Sequence, residues 1–425
     1  MAADPRARPR LLVLGAGPAQ LGLLEAARAR GDVDVIAVDR DPGALGFPLA
    51  SERAVLSSED EEGIGRLARA RGVDGIVSPG ADWPVGIAAR VAARIGVPHP
   101  VDPRTAAVAT SKARQREAFA AGGVPHARAV DASDGVVALP CVVKAPDRQG
   151  QRGLTLVRSP GELEPALETA RAESRTGTVL VEELVDGPEV TVNAVSFDGR
   201  FVPLSVTDRL TAEPPAFGVA LAHVWPSEHE TTRAAEVASA AVEALGIRDG
   251  PSYTQLRLGP DGPVVMEVAA RLGGGHDAEL CEAAVGVDLN GLALRFALGE
   301  PVAERDVAGC QAPSHVPNGH GAALGRACDT VLQSPSAVFG GAAVVFLVPP
   351  VGTLLAVEGA HEAEAMDGVR WVRVYRRPGH VFGPLRRGAD RAGAVLATGA
   401  SREEALERAR RAADAVRFRV DADAP

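Results

Sequence analysis

The first hundred residues alternate short apolar runs with longer segments whose apolar positions recur every three or four residues. Leu11 to Leu14, Val33 to Val38 and Gly75 to Ser78 are the runs, and 21–30, 62–71 and 85–95 carry the helical period. This alternation predicts βαβ units and a parallel sheet that ends near residue 105. The pattern then changes. Strands are expected at 139–144, 154–157 and 178–183, with a helix from Ser159 to Ala172 between the last two. After the turn Asp186-Gly187-Pro188, a period of two puts Glu189, Thr191 and Asn193 on one face and Val190, Val192 and Ala194 on the other, so a polar face is expected to line a cleft.

A hairpin is the next expectation. Tyr253 to Leu258 and Val264 to Val268 flank Gly259-Pro-Asp-Gly-Pro263; a five-residue loop centred on Asp261 pairs Leu258 with Val264 and sets Gln255 opposite Glu267. Cross-strand partners lie ~5 Å apart at Cβ, within reach of one cation. Helices follow at 279–285 and 289–298. Beyond residue 301 the chain reads as α+β, with strands at 342–348, 369–375 and 394–398 and a last helix capped by Ser401-Arg-Glu-Glu404. The expected division is 1–108, 109–300 with a lid around 125–185, and 301–425.

Composition narrows the class. The 425 residues allow two to four domains, and 46% hydrophobic with 4% aromatic content fits an aliphatic, soluble α/β protein. A formal charge of −10 argues against a general nucleic-acid binder. No apolar run reaches the ~18 residues of a membrane span. Cys141, Cys281, Cys310 and Cys328 form no Cys-x-x-Cys pair, so neither a zinc site nor a disulfide framework is indicated and a cytoplasmic location is expected.

Two residue choices carry chemistry. Of 45 basic residues only Lys112 and Lys144 are lysines, the other 43 being arginines. A chain that otherwise uses the planar guanidinium keeps a compact ammonium where a point charge suits a phosphate. Lys144 ends a strand and precedes the loop Asp147 to Gly153, which holds Gln149, Gly150 and Gly153; Lys112 begins a helix, an unfavourable place for a cation unless an anion is near. The loop Gly15-Ala-Gly-Pro-Ala-Gln20 nearly matches a dinucleotide fingerprint, with Asp39 about 20 positions on, but Gln20 replaces the third glycine.

In order, the α/β start, Lys112, Lys144 with its loop, Val181-Glu-Glu-Leu-Val-Asp-Gly-Pro-Glu189, Gln255 and Met266-Glu-Val-Ala-Ala-Arg271 resemble the ATP-grasp superfamily. Glu267-Val-Ala-Ala-Arg271, His223-Val-Trp-Pro-Ser and 370–399 are similar to the L-amino acid ligases and their carboxylate–amine ligase relatives. The resemblance implies an α/β ATP-grasp fold with a Rossmann-like N-terminal domain, a central domain with a lid and a C-terminal α+β domain. It also implies an ADP-forming ligase that activates a carboxylate, an amino acid, as an acyl phosphate and joins it to an amine.

Roles follow from the resemblance. Lys112 and Lys144 would hold ATP phosphates under the loop with Gln149, Gly150 and Gly153. Glu182, Glu183 and Leu184 would form the adenine hinge, and Glu189 would hold the ribose. Gln255 and Glu267 would hold Mg²⁺, with Mn²⁺ a substitute. Arg271 would stabilise the oxyanion and transferring phosphoryl, with His223 and His276 candidates for the amine proton. Small-molecule partners and a homodimer are implied, and no nucleic acid or membrane. Gln255 and Ala269 stand where many members carry a carboxylate and an asparagine, which leaves open a catalytically weak nucleotide-binding regulator or an ATP-grasp enzyme of nucleotide or cofactor biosynthesis. Gly273, Gly274 and Gly275 suggest room for a substrate larger than alanine, or only a tight backbone turn.

Overall fold

The fold is described from a computed structural model for residues 8–130, 138–307 and 340–421. Four parallel strands open it: β1 (Arg10–Leu14), β2 (Asp34–Asp39), β3 (Glu52–Val55) and β4 (Gly75–Val77), in the order β3-β2-β1-β4. Between them run α1 (Leu21–Arg30) and α2 (Glu61–Arg71), and α3 (Asp82–Ile95) follows β4. Local chemistry sets the helix ends. Asp60 accepts from Gly63 N at 2.9 Å to cap α2, and Gly72 ends it at φ +56, a left-handed conformation that costs glycine little.

Helices α4 (Pro103–Ala109) and α5 (Lys112–Ala121) lead into a small sheet of β5 (Ala129–Val130), β6 (Cys141–Lys144), β7 (Thr155–Val157) and β8 (Leu180–Glu183), ordered β5-β8-β6-β7. Helix α6 (Pro160–Glu173) covers it through Ala166 and Ala170, which pack with Cys141, Val143 and Val181.

The largest sheet has eight strands. Its members are β9 (Glu189–Phe197), β10 (Arg200–Thr211), β11 (Ala220–Trp225), β12 (Gly250–Gly259), β13 (Gly262–Ala269), β14 (Gly341–Leu347), β16 (Val369–Val374) and β18 (Gly393–Gly399), after the intervening β15 (Gly352–Glu358) and β17 (Val381–Phe382) are set aside. The order is β13-β12-β9-β10-β11-β14-β18-β16, so the sheet runs without interruption across residue 300, where β11 pairs with β14. One face packs on α7 (Thr232–Ala244), α4 and α5; the other packs on α8 (Asp277–Val285) and α9 (Leu289–Ala297), which also touch α1. A single apolar cluster therefore joins Leu24 of α1, Val195 of β9, Leu294 of α9 and Leu396 of β18. Helices α10 (Ala360–Glu364) and α11 (Arg402–Ala415) and strand β19 (Arg417–Asp421), paired with β15, complete the fold. Ser401 Oγ accepts from Glu404 N at 3.2 Å, while the Glu404 carboxylate accepts from Ala400 N at 2.5 Å, one residue before the cap.

The hairpin departs from the expected register and returns to it. Its connection is only Pro260-Asp261, with Gly259 opposite Gly262 and Leu258 opposite Pro263. A bulge after Gln255 leaves Met266 as the extra residue, and beyond it Gln255 faces Glu267 as expected. The polar face of β9 also differs from a solvent face. Thr191 and Asn193 are buried, bonded to Thr207 Oγ1 at 2.6 Å and Ser205 Oγ at 3.3 Å, and Glu189 lines a cavity. Cys141 and Cys281 are buried; Cys310 and Cys328 lie outside the described residues.

Candidate active site

Two cavities meet beneath the loop 147–153. The larger, about 350 Å³, lies at the carboxyl ends of all four parallel strands, lined by Gly15, Asp39, Ser57 and Asp82 among others. That is where open α/β sheets place ligands, because strand-end loops diverge there. The smaller, about 90 Å³, lies between the small sheet and the hairpin. Lys112, Arg148, Gln149, Arg152 and Glu267 line both.

The smaller cavity gathers most of the residues singled out in the sequence: Lys112, Lys144, Gln149, Gly150, Glu182, Glu183, Leu184, Glu189, Gln255 and Glu267. Val142, Leu154, Met266 and Phe217 supply apolar wall suited to a flat ring. Arg257 stacks over Phe217 at 5.2 Å from the ring centroid, a contact with no sequence signal.

Lys144 is buried and ion-paired with Glu182, whose other oxygen accepts from Arg116 Nε at 2.6 Å. The pairing follows from register: Val142 lies opposite Glu182 and Lys144 opposite Leu180, so Lys144 and Glu182 are diagonal neighbours on one face. Burial pushes the Lys144 ammonium down to about 8, with Glu182 opposing and Arg116 adding to the fall. Burial also disfavours the Glu182 carboxylate, but Lys144 and Arg116 outweigh it and hold it below the usual range. Arg116 lies one helical turn after Lys112, which could have marked it in the sequence.

Lys112 finds its anion in Glu267, with Nζ 2.9 Å from Oε1, and also donates to Arg148 O at 2.8 Å. Burial raises the Glu267 carboxyl, yet Lys112 foremost and Arg271 and Lys144 after it keep it below its ordinary value, hence ionised. With 20% of its side chain exposed it remains accessible. Gln255 donates to Glu189, which is also paired with Arg209. Glu267 and Gln255 present carboxylate and amide oxygens, a donor set that fits Mg²⁺ when phosphates and water complete the shell. The triad of metal-type side chains within reach of one another among the described residues, Asp208, Glu228 and His229, is elsewhere, and Arg402 and Ser227 already hold Asp208.

Other residues stand apart. Gly153 lines neither cavity; at φ +63 a Cβ there would lie 2.9 Å from Glu173 Cβ, so its glycine serves packing against α6. Gly150, at φ +68, has open space around it and forms the loop's exposed bend. Arg271 lines neither cavity and is held by Asp82, with Nε at 2.6 Å and Nη2 at 2.5 Å from Oδ1. Burial raises the Asp82 carboxyl, Arg271 opposes this, and the charge of Glu267 adds to it. Asp82 N donates to Gln149 Oε1 at 2.5 Å, tying the loop to α3. Asp82 was missed in the sequence, although its position just after β4 marks a strand-end loop.

His223 and His276 line neither cavity. His223 Nδ1 is 2.9 Å from Asp277 Oδ1, and Nε2 is buried without a partner among the described residues. His276 is saturated: Nε2 is 2.5 Å from Tyr375 Oη, and Nδ1 is 3.1 Å from Glu279 Oε1 and 2.9 Å from Arg373 Nη1. A Cβ on Gly275 would stand 2.7 Å from His223 Cε1, and one on Gly273 2.2 Å from Asp277 Oδ2. Close packing on His223 and Asp277 thus accounts for these two glycines.

The near-match to a dinucleotide loop is also explained. Gly17 N donates to Gln20 Oε1 at 3.0 Å and Ala16 N to Asp39 Oδ2 at 2.9 Å, so side chains occupy N–H groups a pyrophosphate would need.

Residues 137–279 match the model of the ATP-grasp domain. The chain contains an ATP-grasp domain. Residues 345–421 match the L-amino acid ligase C-terminal domain 2. The structure of L-amino acid ligase from Bacillus licheniformis superposes with a TM-score of 0.79 at 21% identity, covering 97% of this chain and 99% of that one. A formate-dependent phosphoribosylglycinamide formyltransferase of Burkholderia thailandensis is 29% identical over 96% of this chain and 95% of its own length. Carnosine synthase 1 of Gallus gallus is 30% identical over 39% of this chain and 20% of its own length. Among the described residues no helix is long and apolar enough to cross a membrane.

Proposed function

We propose that the protein is an ADP-forming carboxylate–amine ligase that activates the carboxylate of an amino acid and joins it to an amine. The observation that carries the reading is the shared wall of the two cavities. Lys112 and Glu267 stand where the smaller, apolar-walled cavity opens into the larger one. Nucleotide in the smaller cavity would present its terminal phosphate at that junction, and the substrates would meet it from the larger one. Similarity to the C-terminal domain of L-amino acid ligases and to carnosine synthase supports amino acid substrates.

In the first step a carboxylate oxygen bonds to the γ-phosphorus as the bond to the β-phosphate oxygen breaks, giving an acyl phosphate and ADP. In the second, the amine nitrogen bonds to the acyl carbon, phosphate leaves and the amine proton passes to a base. Lys112 and Lys144 supply localised positive charge to the phosphates, and the loop with Gln149 and Gly150 keeps water from the acyl phosphate. Glu182 to Leu184 border the base and Glu189 the ribose. Mg²⁺ at Gln255 and Glu267 would neutralise phosphate charge. Arg271, oriented by Asp82, stabilises charge on the reacting group. Of the two histidines, His223 is the proton acceptor we assign, because Asp277 orients it and its Nε2 has no partner among the described residues, whereas both nitrogens of His276 are engaged.

The test is phosphate release from ATP and Mg²⁺ across an array of amino-acid and amine pairs, with products identified by mass spectrometry. Release that needs both co-substrates and yields the coupled product is expected. Release that is absent throughout, or indifferent to the amine, removes the assignment.

A further inference from the structure

Three arginines on the wall of the larger cavity lack an ion-pair partner among the described residues. Arg40 follows β2, Arg148 and Arg152 belong to the loop over the junction, and all three line this cavity. Among the described residues none of the three has a carboxylate within ion-pair distance; Arg148 Nε donates only to the carbonyl of Glu173. Among the acids on the same wall, Glu59 is paired with Arg175, Asp39 accepts from Ala16 N and Asp41 N, and Asp147 accepts from Thr176 N at 2.9 Å through Oδ2 while its Oδ1 has no partner among the described residues. Burial first, then the like charges of Arg387 and Arg148, lower the Arg152 guanidinium; Glu173 opposes them and Arg40 adds to the fall.

The loop is nonetheless docked. Gly388 N donates to Gly150 O at 3.2 Å, Asp82 N to Gln149 Oε1, and Arg175 Nη1 to Asp147 O at 2.6 Å. The docked loop thus sets Arg148 and Arg152 around the same cavity as Arg40, where an anion would give the three guanidinium groups a partner.

Resting on the ligase reading above, we infer that one of the two co-substrates bears an acidic group besides the reacting carboxylate, a second carboxylate or a phosphate, and that Arg40, Arg148 and Arg152 hold it in the larger cavity. This places a selectivity element at the strand-end loops, away from the nucleotide. Arg40 lines only the larger cavity, which separates this role from contact with ATP.

The experiment measures binding to the full chain by calorimetry with Mg²⁺ and a non-hydrolysable ATP analogue present. The probes are L-glutamate against L-glutamine and O-phospho-L-serine against L-serine. We expect at least one acidic probe to bind about tenfold or more tightly than its neutral counterpart, as a charge-assisted contact predicts. The Arg40→Gln and Arg152→Gln variants should lose that preference while Arg40→Gln keeps its affinity for the analogue. Preference for glutamate identifies a carboxylate, and preference for phosphoserine a phosphate. Equal binding of acidic and neutral probes, binding of none, or discrimination that survives both substitutions overturns the inference. Loss of analogue affinity in Arg40→Gln with discrimination intact reassigns the arginine to the nucleotide and overturns it too. Failure of the ligase reading is separate: acidic probes would bind selectively while no pair released phosphate.

Discussion

The Lys112 ammonium lies 2.9 Å from Glu267 Oε1, joining the first turn of α5 to the hairpin strand β13 at the junction of the two cavities. Either partner alone would leave a largely buried charge uncompensated. Glu267→Ala is expected to abolish phosphate release while circular dichroism shows the fold intact. Retained turnover would overturn the assignment of Glu267 to the metal and phosphates.

Lys144→Arg should fold and lose most ATP-dependent activity. The planar head is larger than the ammonium and would meet Arg116 on the far side of Glu182. A variant with wild-type kcat and KM for ATP would show that any cation suffices.

The Lys144 ammonium, depressed to about 8, also predicts a pH dependence. Below about 8 the charge is present and available to phosphate; above it the free protein loses the proton, so ATP affinity should fall and binding should take a proton up. The stability effect has its own sign. The folded chain holds fewer protons than the unfolded chain between about 8 and 10.5, so the cost of burying this charge fades as pH rises through that window. Calorimetry in buffers of different ionisation enthalpy checks the uptake, and an affinity flat from pH 7 to 10 would refute it.

His223→Gln and Asp277→Asn should each lower kcat, roughly 10²-fold for a lost proton acceptor, with smaller effects on the KM for ATP. His276→Gln should instead lower the melting temperature through loss of its contacts with Tyr375 and Glu279. Unchanged kcat in His223→Gln would make that histidine structural.

Glu279 is held down to about 2: burial would raise it, but His276 and Arg373 overcome that. Its contribution is present above about 4.5 and is lost as pH falls through about 2. At ~1.4 kcal/mol per pK unit this is on the order of 3 kcal/mol. The difference in unfolding free energy between the protein and Glu279→Gln should therefore narrow over that window, and a constant difference would contradict the pairing.

Local periodicity told the elements apart well. The strand β1, helix α1 and the lysine at the start of α5 stand where apolar spacing and capping put them, because those choices depend on neighbours within a turn or two. Glu267 opposite Gln255 also emerged, but by a bulge at Met266 rather than a five-residue loop; a shortened connection and an extra residue compensate, and neither is visible as apolar alternation. Gly153 packs against α6, and a glycine needed there looks the same in sequence as one that approaches a phosphate.

By itself, the chain's order of residues determined the element types, the two lysines and the ordered set of motifs that marks an ATP-grasp domain, since these rest on local period and residue chemistry. Tertiary structure alone decided which charges meet: Glu182 on Lys144, Asp82 on Arg271, Asp277 on His223, and arginines from separate loops around one cavity. Charges interact through space over a few ångströms, and chain separations of 38 to 189 residues carry no local signal of such proximity.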